Sequence, residues 1–291
     1  MSITRRSLLL GAAALPCLAA GNRWSICSET FAGMDFNSAC KAARRSGYAG
    51  IEIEPAHLGP DPASLPFSRR KEIRAAIEAE NLTCVGLHSM FKAPAGLHLT
   101  TPDAAVRRKT WAYFAKLIDL AADLGDNPVL VLGSSKQRAA IDGATVADAV
   151  ARLTEGLQQL APAAVSRKAT ILMEPLAPHQ CNVVHTFEEA MQIVRAVNSP
   201  AVQSILDTHN TAAEKMPLAA LIRKYFSSIR HVHLNELDGK RPGAGDFPFP
   251  IVLKTLSELR YQGWLSVEVF DYKPDGETVA RQAIEYLKSI Q

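Results

Sequence analysis

The chain is expected to fold as one α/β domain, a closed (β/α)8 TIM barrel, on three observations. Eight short runs rich in Val, Ile and Leu alternate with eight amphipathic stretches, with no linker or low-complexity segment between them. The 291 residues exceed the usual domain size but suit this architecture, which commonly runs to about 250 residues as one unit. Each of the last four strand-like runs ends on a lone acid or histidine, and the C-terminal strand ends are where such barrels gather polar groups. The competing architecture is an open doubly wound sheet. It requires a glycine-rich phosphate turn after the first strand, and Cys27-Ser-Glu-Thr-Phe-Ala-Gly33 has none.

Taken in order, the first strand is read near Arg23–Thr30 and its helix over Asp35–Ser46, where Asp35 suits an N-cap. The second unit pairs Gly50–Glu54 with Ser68–Glu80, and the third pairs Thr83–Ser89 with Arg107–Leu124. The fourth joins Pro128–Gly133 to Thr145–Ser166, and the fifth joins Thr170–Glu174 to Thr186–Val197. Gln203–Asp207 leads into Pro217–Phe226, Ile229–Asn235 into Pro250–Arg260, and Leu265–Phe270 into the closing helix Glu277–Ile290. The strand runs are almost continuously apolar, as parallel strands covered on both faces should be. Ser, Thr or Asp opens several helices, and Gly125 and Gly263 read as stops. Trp111, Tyr113 and Phe114 lie within a helix of regular apolar spacing and read as packing residues, and Trp264 reads as a plug at the barrel bottom.

Residues 1–21 form a separate segment, and 22–291 the barrel. Arg5-Arg6 precede an apolar stretch that continues through Ala20, too short for a stable membrane anchor and followed by small residues suited to cleavage. The segment is similar to a twin-arginine export signal, so a periplasmic or otherwise exported protein is expected, with no membrane contact after cleavage. Pro16 ahead of Cys17 makes a poor lipoprotein box. Arg5 and Arg6 account for two of the net charge of +3, and no basic run is long enough for nucleic acid or an anionic membrane. Cys27, Cys40, Cys84 and Cys181 are widely scattered in a chain too large to need a disulfide scaffold, and read as buried thiols.

The four strand-end residues are Glu174, Asp207, His233 and Glu268. A single acid at a strand end is usually a cap or a surface charge. Four in succession, spaced roughly 26 to 35 residues apart, are different, because each interval holds one helix that returns the chain to a neighbouring parallel strand. Alternation along a strand puts Leu172 with Glu174, Ile205 with Asp207, His231 with His233, and Ser266 with Glu268 on shared faces. If that face is the barrel interior, a bound cation keeps the carboxylates ionised at least cost. Three carboxylates and one imidazole favour Mn²⁺, with Co²⁺ or Mg²⁺ next, and no thiolate in the set favours zinc.

Several further segments carry a resemblance: Gly47-Tyr-Ala-Gly-Ile-Glu-Ile-Glu54, Ala121-Ala-Asp-Leu-Gly125, Gly133-Ser-Ser-Lys-Gln-Arg138, Glu174-Pro-Leu176, Asp207-Thr-His209, His231-Val-His-Leu-Asn-Glu236 and Pro242-Gly-Ala-Gly245. In this order and spacing the chain resembles, from about Trp24 to its end, the sugar phosphate isomerase/epimerase family, the xylose-isomerase-like barrels that include ketose 3-epimerases. The resemblance implies that Glu174 and Glu268 are both ligands and catalytic groups, one removing a proton and the other returning it on the opposite face, through an enediolate that the metal stabilises. Asp207 and His233 match the other two ligands. Substrate-binding positions implied in the same way are His88, Gln180, His209 and Arg241. Three departures from the family pattern stand out. Gln180 replaces a glutamate and can hydrogen-bond but not act as a base; Asn210, not His209, holds the register of the family's histidine; Arg241 lies two residues further from His233 than its counterpart.

The expected function is therefore a metal-dependent sugar epimerase or aldose–ketose isomerase with a small sugar or glycoside as partner. Dimers and tetramers are common in that family, so a homo-oligomer fits, though no stripe marks an interface. Two alternatives stand beside it: a metal-dependent lyase that eliminates from 3-keto-glycosides, and a sugar-binding barrel without activity. Endonuclease-like relatives call for a richer histidine set and a basic face. Phosphate recognition is not expected, since neither a glycine-rich loop nor a Lys/Arg cluster stands out at the strand ends.

Overall fold

A computed structural model describes residues 22–291, and the expected export signal at 1–21 lies outside the described residues. Eight parallel strands close in sequence order: β1 (Arg23–Cys27), β2 (Gly50–Ile53), β3 (Thr83–Leu87), β4 (Val129–Leu132), β5 (Thr170–Met173), β6 (Val202–Asp207), β7 (Ile229–Leu234) and β8 (Trp264–Val267). The barrel shuts where β8 pairs with β1, Val267 opposite Ile26. In the β6–β7 ladder Asp207 stands directly beside His233, which brings two of the four strand-end residues together.

Around the strands lie α1 (Phe36–Ser46), α2 (Phe67–Ala79), α3 (Ala104–Leu124), a single turn α4 (Ser135–Arg138), α5 (Val146–Ser166), α6 (Phe187–Val197), α7 (Leu218–Tyr225), α8 (Phe249–Glu258) and α9 (Gly276–Ser289). Asp35 caps α1 by accepting the Ser38 N–H, and Thr145 and Asp148 cap α5 reciprocally. Two stop signals read from the sequence act differently. Gly125 is extended, and its lack of a Cβ lets the chain pass close to the Cys84 carbonyl. After α8 the left-handed residue is Arg260, at φ 56°, and Gly263 instead makes room for the Tyr261 ring. The left-handed glycine that does end a helix is Gly47, at φ 103°.

Most of the core lies between strands and helices, and inside the barrel Val131, Leu172 and Ile205 form a small separate plug. The plug confirms the inward face that alternation assigned to Leu172 and Ile205. Below it the Trp264 ring fills the floor against Gly50, with the Arg23 guanidinium 4.0 Å from its centroid. Tyr113 and Phe114 are buried and Trp111 packs against them, as expected. Cys27, Cys40, Cys84 and Cys181 are free and buried. Among the described residues no helix is long and apolar enough to cross a membrane.

Truncating the plug tests this layering. Leu172→Ala removes a side chain that cannot be replaced by collapse of a closed barrel. A loss of about 2 to 5 kcal/mol is expected in denaturant unfolding.

Candidate metal centre and active site

Glu174 immediately follows β5, Asp207 ends β6, His233 lies near the end of β7, and Glu268 immediately follows β8. Each offers one ligand atom, and the four atoms all lie within 4.8 Å of one another. A divalent ion with bonds of about 2.1 Å holds opposite ligands roughly 4.2 Å apart, so small side-chain adjustments close the set. His233 Nδ1 is 3.2 Å from Glu268 and 3.8 Å from Glu174, and although buried it has no hydrogen-bond partner. Without metal the surrounding carboxylates hold the His233 ring well above its ordinary value, and a cation that displaces the Nδ1 proton finds a lone pair facing the three carboxylates. The residues present therefore fit a divalent metal.

The tautomer follows from the other ring nitrogen. His233 Nε2 is 3.1 Å from both oxygens of Glu52, which also meets His231 Nε2 at 2.8 Å. Nε2 carries the hydrogen and donates it to Glu52, leaving Nδ1 as the ligand. Burial would raise the Glu52 carboxyl, but the two imidazoles beside it hold it well below the usual range. Glu52→Gln weakens that anchor. Metal affinity measured by competition with a chelator is expected to fall about 10- to 100-fold, with the fold intact by circular dichroism.

The carboxylates feel one another strongly. Burial, then the charges of Asp207 and Glu268, push Glu174 well above its ordinary value; burial and Glu268 push Asp207 up to about 6. Glu268 is lowered, since His233 beside it outweighs burial. Beneath Glu174 lies Arg138, fully buried, whose Nη1 donates to the carbonyls of Glu174 at 2.6 Å and Leu132 at 3.0 Å. Gly133 completes this support: a Cβ there would overlap the Glu174 carboxylate. Asp207 is oriented by the His209 N–H at 2.9 Å and by the Asn210 amide, which donates to its other oxygen.

Above the carboxylates opens a cavity of about 350 Å³. Glu174, Asp207 and Glu268 line it together with Ser89, Lys92, Ser134, Lys136 and the apolar Leu176 and Phe270. Ser89 and Ser134 both adopt left-handed backbone, at φ 48° and 39°, which a serine takes only at a cost. The Ser134 hydroxyl has no partner. Lys92 is tied to Glu54 at 2.5 Å. Two lysines, Lys92 and Lys136, thus line the cavity, the first of them neutralised by Glu54. They come from the loops after β3 and β4.

The substrate-binding candidates separate. Gln180 lines the cavity. His209 lies behind it, its Nδ1 donating to the Glu236 carbonyl at 3.1 Å and its Nε2 receiving the Gln180 amide at 2.8 Å. That hydrogen-bond order turns the Gln180 NH₂ toward His209 and leaves its oxygen as acceptor. His88 is buried below the mouth, bonded to Glu29 at 2.7 Å, with Glu52 3.7 Å from its other nitrogen, and does not line the cavity. Arg241 donates to the Pro242 carbonyl and does not line the cavity either. Sequence reasoning missed Glu52 and Arg138 as supports. Glu52 alone had a readable signal, an acid between Ile51 and Ile53 on the same strand face as Gly50.

Comparison with known proteins agrees with the barrel fold. Fructoselysine 3-epimerase of Shigella flexneri is 25% identical over 263 residues, covering 87% of this chain and 92% of that protein. Among solved structures, D-psicose 3-epimerase from Clostridium cellulolyticum H10 superposes with a TM-score of 0.80 at 18% identity, covering 92% of this chain and 99% of the other. The 3-keto-D-glucoside 4-epimerase of E. coli also gives 0.80, at 17% identity, with the same coverage. A family model described as xylose isomerase-like TIM barrel matches residues 40–290, and the chain belongs to that family.

Proposed function

We propose that this protein is a metal-dependent sugar epimerase or isomerase of the ketose 3-epimerase type, acting by proton transfer beside a carbonyl. The observation that carries the reading is the convergence of Glu174, Asp207, His233 and Glu268, with atoms within 4.8 Å of one another, at the mouth of the barrel. A divalent metal, Mn²⁺ by the oxygen-rich ligand set, would supply electrostatic stabilisation of the charge that develops next to the carbonyl. Glu174 and Glu268, on well-separated strands, are placed to serve opposite faces of one carbon. Asp207 fixes the ligand cage, Glu52 holds His233, and Gln180 and Ser134 are polar groups available to sugar hydroxyls. The test is NMR of a panel of free, phosphorylated and 3-keto sugars in D₂O with Mn²⁺ supplied. Deuterium in a rearranged sugar supports the reading, and unchanged protonated sugar throughout the panel refutes it.

A second reading is favoured by Gln180, a neutral amide held by His209 in the cavity wall: elimination from a 3-keto-glycoside, starting from the same proton abstraction. Release of an aglycone in the same tubes, with no epimer, would select it. We further infer that residues 1–21 direct export and that the folded barrel is loaded with Mn²⁺ before it meets tighter-binding metals outside. Metal analysis of exported and cytoplasmic protein, produced with zinc in excess, tests this. Equal manganese in both supports loading before export, and zinc in the exported form alone counts against it.

A further inference from the structure

A second hollow, of about 500 Å³, lies away from the barrel mouth on the outer wall between α3 and α5. Three guanidinium groups line it, Arg107 and Arg108 from the start of α3 and Arg152 from α5, and the only acid lining it is Glu155. None of the three arginines has a carboxylate within 4.0 Å among the described residues. Elsewhere on the surface several arginines are paired: Arg45 with Glu277, Arg74 with Glu78, Arg195 with Glu188, Arg223 with Glu258. The nearby Asp148 is engaged in the cap of α5.

Two of these arginines are already fixed. Arg107 Nη1 donates to the carbonyls of Thr101 at 2.6 Å and Pro102 at 2.7 Å, and Arg152 Nη1 donates to Thr100 at 2.8 Å. Each uses one nitrogen for the chain and keeps its remaining donors. The rotamer entropy a ligand would otherwise have to overcome is spent in folding. The floor is the Trp111 indole, stacked on Phe114 and lying where a Cβ on Gly156 would overlap it. The hollow is small and its charge is concentrated, unlike the extended basic track a nucleic acid needs.

We propose that this cleft binds a small phosphate-bearing metabolite at a site separate from the barrel mouth. Guanidinium forks that share one hollow match a phosphate dianion, whose oxygens accept paired N–H donors. Arg108 is the variant of choice, because it makes no hydrogen bond or ion pair and its loss leaves the strap at Thr100–Pro102 held. The probe is phenyl phosphate, which has no carbonyl for the barrel mouth to enolise, titrated calorimetrically into the full chain loaded with Mn²⁺. Saturable binding with Kd below about 1 mM is expected. It should weaken about tenfold or more in Arg108→Ala, weaken with added salt, and persist in Lys136→Ala. No saturation, equal affinity in Arg108→Ala, or loss in Lys136→Ala instead would overturn the proposal. The last outcome would place the anion at the mouth and leave the proposed epimerase untouched.

Discussion

Glu268→Gln and Glu174→Gln are each expected to abolish epimer interconversion, with a loss of about 10²- to 10⁴-fold in kcat, the range removed with a positioned proton-transfer group. The amide keeps the shape and one oxygen of the carboxylate, so the cage keeps most of its geometry. What it cannot do is take a proton. The two variants should differ from a pair of merely weakened metal sites in a specific way. If each carboxylate serves one face, the variant that lacks one base still exchanges deuterium into the epimer whose proton faces the other. Each single variant is therefore expected to label one epimer in D₂O without converting it, and the two variants should label opposite epimers. Metal content measured on the same samples separates loss of base from loss of ion. Either variant converting sugar at more than about a tenth of the parent rate, with metal retained, removes the proton-transfer assignment.

A gentler perturbation reaches the same carboxylate from behind. Gly133→Ala places a methyl where the Glu174 carboxylate lies, and the far end of a flexible side chain moves more readily than backbone. Reduced metal affinity with little change in unfolding midpoint is the expected result.

The sequence carried the four cage residues because each interrupts an apolar strand at the same place, and alternation then oriented Leu172 and Ile205 with them. It could not carry the supports. Glu52 and His231 meet across the barrel lumen, and only closure of the sheet tells which residue faces which. Arg138 ends one of the segments that carry the resemblance, but nothing local marks it as buried, and it is fully enclosed against carbonyls beneath Glu174. The loops after β3 and β4 were equally opaque. No period governs them, so Lys92, Ser134 and Lys136 arrive at the cavity by loop geometry alone. Capping showed the same limit: Gly125, read as a stop, serves a close backbone approach that no local pattern announces, whereas the left-handed end of α1 falls to Gly47.

Metal should change stability by an amount that depends on pH, and the sign follows from the cage. In the metal-free protein Asp207 is raised from 3.8 to about 6, and Glu174 is raised well above its ordinary value. A carboxyl whose value is higher folded than unfolded contributes stability that is complete below the unfolded value and lost as pH rises through the folded one. The metal-free fold thus weakens as pH rises from about 4 through about 6 on account of Asp207, and Glu174 adds to the loss in the same direction. For Asp207 alone the shift corresponds to roughly 3 kcal/mol at about 1.4 kcal/mol per unit. Glu52 and Glu268, both lowered, act in the opposite sense, but their contribution is lost only as pH falls below the ordinary carboxylate range. Between pH 5.5 and 8 the raised pair acts with His233 and His88, whose raised values also weaken the metal-free fold as pH rises, and only His231, lowered by burial, opposes them. A bound cation replaces the protons and needs the carboxylates ionised, so its affinity rises with pH. Melting with Mn²⁺ and with chelator is expected to show a metal-induced gain several degrees larger at pH 8 than at pH 5.5, since about 1 kcal/mol moves Tm by roughly 2 to 4 °C in a domain of this size. Asp207→Asn should melt higher than the parent in chelator at pH 8, because the uncompensated charge is gone, and gain little from Mn²⁺. A gain that is equal at the two pH values, or an Asp207→Asn protein that is less stable than the parent without metal, would show that the four side chains do not share an ion.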